Sequence, residues 1–105
     1  MPDWTPDTWL IAGGRNRSAG EPLNVAPVLA SNYYLPDDRL YSRTDGTPTT
    51  DALEELLGGL ERGRALVFGS GMAAAAVVFN RLPAGAHIAV PSDPYHGVAG
   101  IIDEG

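Results

Sequence analysis

A phenol and a guanidinium two residues apart, Tyr41 and Arg43, form the first group in this sequence able to do chemistry. Arginine offers a planar fork of donors that matches a phosphate, and a phenol can donate to the same anion. Exposed Arg and Tyr are also ordinary surface residues, so the pair by itself permits both readings. The second group is Gly69-Ser70-Gly71-Met72, which joins a short apolar run to an Ala-rich stretch. The first N–H groups of a helix lack internal acceptors and carry partial positive charge, so Ser70, Gly71 and Met72 are placed to bind an anion. The same glycines would also serve a tight turn that needs their φ freedom. The third is Tyr95, which follows a second apolar run, at the edge where open α/β sheets place ligands. It could stack on a planar cofactor or pack half-buried on the sheet.

A competing template overlaps the second group. Gly69-x-Gly71-x-x-Ala74 fits a dinucleotide fingerprint, with Asp93 roughly 20 residues on to meet a ribose hydroxyl. His96 is a lone loop histidine, and His87 has no ligand partner in sequence, so no metal site is expected. The chain has no cysteine and no lysine, which removes thiolate chemistry, disulfides and every ε-amino nucleophile. No residue of this chain is therefore assigned as catalytic.

The elements that must position these groups can be read from the pattern. Residues 1–46 read as an irregular arm, with Gly13-Gly14, Pro22, Pro27 and Pro36-Asp37-Asp38 interrupting short apolar pieces. A stretch of that kind is a functional loop or a segment that orders against a partner. Thr47-Pro48 is a helix start, a hydroxyl cap followed by proline. Leu53, Leu56, Leu57 and Leu60 then make one apolar stripe, and Gly63 can close the helix. Ala65–Phe68 is expected as a buried strand, Met72 to Leu82 as a helix, and His87–Val90 as a second strand. Val98–Ile102 begins a further helix. The order from 47 to 105 is thus an incomplete βαβ unit with a leading helix, the start of a larger α/β domain.

Composition narrows the partners. At 105 residues there is room for one small domain. The formal net charge of −6 argues against nucleic acid, and the seven arginines are scattered, with Arg15/Arg17 and Arg62/Arg64 reading as solvated surface. The start Met1-Pro2-Asp3-Trp4 has no signal character, and the apolar run Met72–Phe79 is too short to span a bilayer, so no membrane is expected and a cytoplasmic setting is the default.

Taken together, the motifs resemble the trans-sulfuration, or Cys/Met-metabolism, enzymes of the cystathionine γ-synthase/γ-lyase family, which depend on pyridoxal 5'-phosphate (PLP). Tyr41-Ser42-Arg43, Pro48-Thr49, Ala52-Leu53-Glu54 and Leu60-Glu61-x-Gly63 are similar to that family's N-terminal signature in order. Ser70-Gly71-Met72-Ala73-Ala74 is similar to its phosphate loop, and Leu82-Pro83-x-Gly85-x-His87 and Tyr95-x-Gly97 continue the likeness. The resemblance implies a fold-type-I PLP-dependent transferase large domain, present as its truncated beginning behind an N-terminal arm. It implies backbone contacts from Gly71 and Met72 to the PLP phosphate, Tyr95 over the pyridine ring, and Tyr41 and Arg43 on the cofactor of a neighbouring subunit. Pro27 and Ser31 fall where the family has a stretch near its active site. A homodimer or homotetramer, an amino-acid substrate and β/γ-elimination or γ-replacement chemistry are implied with them. The sequence departs from the pattern at Asp45-Gly46-Thr47, one residue longer than usual, and at His96, where glycine is common. The Schiff-base lysine of the family is absent.

Overall fold

The computed structural model describes residues 2–36 and 38–104. Asp37, part of the expected Pro36-Asp37-Asp38 turn, lies outside the described residues, as do Met1 and Gly105. The helices are α1 (Pro6–Ala12), α2 (Ser42–Asp45), α3 (Pro48–Leu60), α4 (Gly71–Asn80) and α5 (His96–Glu104). None is long and apolar enough to cross a membrane. The chain divides into two compact units, residues 1–67 and 68–105.

In the first unit, α1 and α3 open in the same way. Thr5 and Thr47 have extended backbones and accept from Thr8 N and Thr50 N, and a proline follows each inside the first turn. Such a cap satisfies a donor that the helix cannot, and proline gives up an N–H that would be orphaned anyway. Thr47 N also donates to Thr50 Oγ1 at 2.8 Å, which completes a reciprocal capping box. The start of α3 is where the sequence places it. The presence of α1 and α2 inside residues 1–46 corrects the reading of that stretch as irregular throughout.

The stripe expected on α3 is only half covered. Leu53 and Leu57 remain exposed, whereas Gly58 and Gly59 are buried. The covering group is Trp9 of α1, only 3% exposed, which lies so close on Gly59 that any side chain there would overlap the indole. Glycine inside a helix costs about 1 kcal/mol relative to alanine. Here it admits an aromatic ring whose burial contributes more. Trp4 extends the cluster with its ring 4.8 Å from Trp9, and the Arg17 guanidinium sits 4.2 Å from the Trp4 ring.

The end of α3 also differs in detail from the expectation. Gly63 N donates to Gly58 O at 2.9 Å, the long closing bond of a Schellman motif, but the residue with positive φ is Arg62, at 52°. Gly63 therefore stands one position past the left-handed residue.

The expected βαβ unit is not seen among the described residues. Among the described residues there is no strand, and the one sheet-like pairing is an isolated antiparallel bridge between Asn32 and Tyr41. Ala65–Phe68 and His87–Val90 have strand composition but no ladder partner among the described residues. Apolar sequence selects a buried extended segment only where neighbouring strands supply acceptors and cover both faces. Here Val67 N is taken by the Glu54 carboxylate at 2.9 Å, and Leu66 is left 60% exposed.

In the second unit α4 packs on α5. Helix α4 begins at Gly71 and ends at Asn80, close to the expected Met72–Leu82, and α5 begins at His96, two residues ahead of the expected Val98.

Candidate functional site

Ser70 fixes the start of α4. Its backbone is extended, its Oγ accepts from Ala73 N at 3.1 Å, and its carbonyl accepts from Ala74 N at 3.1 Å. The two remaining first-turn donors, Gly71 N–H and Met72 N–H, have no acceptor among the described residues. The space before them is open: a Cβ on Gly69 or Gly71 would meet nothing within 4 Å. Neither glycine has positive φ, unlike Gly14, Gly20, Gly46 and Gly85. The tight-turn explanation of these two glycines therefore fails, and free access to two helix-start donors is what they provide.

Tyr95 stands at the start of α5, where its carbonyl accepts from Val98 N at 2.9 Å and Ala99 N at 3.0 Å. The residue is 62% exposed and its ring lies 4.4 Å from the His96 ring, so the half-buried alternative does not hold. Gly97 links the two helix starts. A Cβ there would lie 2.7 Å from Met72 Sδ and 3.1 Å from Tyr95 Cε1, so only glycine lets Met72 pack against this turn. The second unit thus brings Ser70, Gly71 and Met72 together with Tyr95.

Tyr41 and Arg43 lie in the first unit. Tyr41 caps α2 with an extended backbone and is 37% exposed. Arg43 is exposed, and its guanidinium has no ion pair or hydrogen bond among the described residues. Arg39 is engaged differently, with Nη2 2.5 Å from Asp51 Oδ2 and Nη1 3.2 Å from Asp45 O. Asp45 closes the small helix: its Oδ2 accepts from Leu40 N at 2.8 Å and Tyr41 N at 2.9 Å. Those two bonds, Tyr41's first, outweigh the slight desolvation, and with the Arg39 charge they hold the Asp45 carboxyl below the usual carboxylate range. Sequence reasoning missed Asp45, Arg39 and Asp51. The Asp45-Gly46 pair was the available signal, a turn dipeptide beside the chosen residues. A cavity of about 450 Å³ in the first unit is lined by Trp9, Glu54, Glu55 and Arg64 and by none of the candidate residues.

The donor set suits a phosphorylated planar cofactor in two respects, an anion at the start of α4 and a ring beside Tyr95. It lacks an ε-amino group for a covalent link. Against known families, residues 8–104 match the model of the Cys/Met metabolism PLP-dependent enzymes. The chain belongs to that family. It corresponds to an N-terminal part of such a PLP-dependent enzyme. Similar curated relatives include the cystathionine beta-lyase MetC of Bacillus subtilis (strain 168), 33% identical over 97% of this chain and 28% of the relative. Others are the cystathionine beta-lyases of Lactococcus lactis subsp. cremoris and of Lactococcus lactis subsp. lactis (strain IL1403), each 40% identical over 92% of this chain and 27% of the relative. The chain thus spans a little over a quarter of the length of these relatives.

Proposed function

We propose that this chain supplies phosphate and ring contacts for PLP in an enzyme that eliminates from a sulfur amino acid, with cystathionine as the substrate class. The observation that carries the reading is the start of α4, two unpartnered N–H groups before open glycines, joined through Met72 and Gly97 to an exposed tyrosine. Gly71 and Met72 donate to the phosphate, and Tyr95 stacks on the ring. Tyr41 and Arg43 donate to the phosphate of a neighbouring subunit's cofactor in a homodimer or homotetramer. When bound, PLP supplies the electron sink for breaking the bond to sulfur. The lysine that holds it covalently comes from sequence outside these residues, so this chain has no turnover of its own. The exposed runs Ala65–Phe68 and His87–Val90 become strands when further chain pairs with them. A cytoplasmic setting is proposed with it.

Family membership and an exposed Tyr95 favour PLP over the dinucleotide reading. The two readings make opposite demands on neighbouring residues. PLP needs Tyr95 and makes no use of Asp93, whereas a dinucleotide needs Asp93. Affinities for PLP and NAD measured on Tyr95→Ala and Asp93→Ala test this. A lost ring stack is worth about 0.5–1.5 kcal/mol, so Tyr95→Ala should weaken PLP binding several-fold, Asp93→Ala should leave it unchanged, and NAD should not bind. NAD binding abolished by Asp93→Ala would overturn the assignment.

A further inference from the structure

We propose that Asp45 is a positioning residue that holds the Tyr41-Ser42-Arg43 turn in the shape that presents Arg43 to a phosphate. The inference rests on the reading of Tyr41 and Arg43 as phosphate donors and adds the device that orders them. Helix α2 has only four residues, and one isolated turn is unstable in water because nucleation fixes several residues for a single bond. Tyr41 caps it without any side-chain bond. The missing cap comes from the other end of the turn. A single oxygen of Asp45 takes the N–H groups of Leu40 and Tyr41, while Asp45 N donates to Tyr41 O at 2.8 Å. Tyr41 is thereby held at both its N–H and its C=O by one residue.

The rest of the turn is tied to its surroundings. Ser42 N donates to Ser31 O at 2.8 Å and Tyr33 N to Leu40 O at 3.2 Å, which anchors the incoming strand-like segment. Arg39 reaches from Asp45 O to the Asp51 carboxylate in the first turn of α3. Gly46 then leaves the turn at φ 73° and ψ −168°, a region open essentially to glycine. A Cβ there would lie 2.9 Å from Thr50 Oγ1, the atom that accepts from Thr47 N. Among the described residues, the interactions that hold the turn thus fall on the backbone, on Arg39 and on Asp45. The Arg43 guanidinium has no ion pair or hydrogen bond among the described residues and is left for an external anion, as a fork that binds a phosphate must be.

The experiment uses the whole chain, labelled with 15N, with inorganic phosphate and then pyridoxine 5'-phosphate as probes. Amide exchange is followed at Leu40 and Tyr41, and anion binding at the Arg43 side-chain N–H. In Asp45→Ala the two amides should lose at least tenfold in protection and the phosphate dissociation constant at Arg43 should rise at least fivefold. Asp45→Asn keeps an oxygen acceptor and should recover most of both effects, so a variant that fails to fold does not decide the matter. Unchanged protection of Leu40 and Tyr41 in Asp45→Ala would overturn the positioning role. So would lost protection with undiminished phosphate affinity. The reading beneath it has its own control, read at the turn itself: if the amides of the Tyr41-Ser42-Arg43 turn respond to phosphate in Arg43→Ala as they do in the parent, Arg43 is no phosphate donor, and Asp45 has nothing to position.

Discussion

Ser70 does two things at one helix start, and they can be separated. Its hydroxyl caps α4 through Ala73 N, and its lack of charge leaves Gly71 and Met72 N–H free for an anion. Aspartate is as good a cap as serine, and its charge is welcome at a helix N-terminus. It would also stand beside any bound phosphate, where two like charges 4 Å apart repel by about 1 kcal/mol in water and about 4 kcal/mol near a protein surface. Ser70→Asp should therefore keep the helix, as read by circular dichroism, yet weaken inorganic phosphate and PLP at least fivefold by direct titration. Retained affinity with retained helicity would move the anion away from this turn. At this scale the sequence was most informative where a residue acts alone. Spacing leaves Tyr95 open between a ring platform and a half-buried packing residue, whereas the Thr47-Pro48 helix start and the glycine-flanked junction at Ser70-Gly71-Met72 follow from local spacing. Asp45 does not, because its role depends on a carboxylate folding back over its own turn and on Arg39 meeting Asp51 across an intervening loop. The additional residue at Asp45-Gly46-Thr47 reads in sequence as a disturbance to the aim of Arg43. In the structure the same residues close the turn.

Helix α1 shows how an element can be missed while its signal is visible. Thr5-Pro6 is the same opening as Thr47-Pro48, but the Gly and Pro residues that follow it suggest an arm without structure. What makes α1 persist is the seat for Trp9 on Gly59, a contact about 50 residues away in sequence that no periodicity reports. The strands are not seen for the complementary reason, since composition at Ala65–Phe68 and His87–Val90 describes a fit to neighbouring strands and the described residues include no strand. The Trp9 contact gives a direct prediction. Gly59→Ala gains about 1 kcal/mol of helix propensity but drives a methyl into the indole, and overpacking of this kind costs roughly 1–3 kcal/mol. The expected outcome is a lower thermal midpoint together with a red-shifted tryptophan emission. A raised midpoint with unchanged emission would show that the indole does not rest on Gly59.

For the molecule as a whole, the described core is slight: Trp9 is the buried hydrophobic residue, while Leu66, Phe68, Ile88 and Val90 face solvent. Such a surface accords with the proposal that the chain acts within a larger PLP-dependent enzyme whose further strands cover these residues. The central claim is narrower, that the start of α4 receives the cofactor phosphate with Tyr95 beside the ring. Pyridoxine 5'-phosphate tests it most directly, because it keeps the ring and phosphate but has no aldehyde to react with amines. Titrated into the 15N-labelled chain, it should shift the Gly71 and Met72 amides and the Tyr95 ring resonances together along one saturating curve. Inorganic phosphate should reverse the amide shifts by competition. Gly71 and Met72 amides that stay fixed while the ligand saturates elsewhere on the chain would contradict the account.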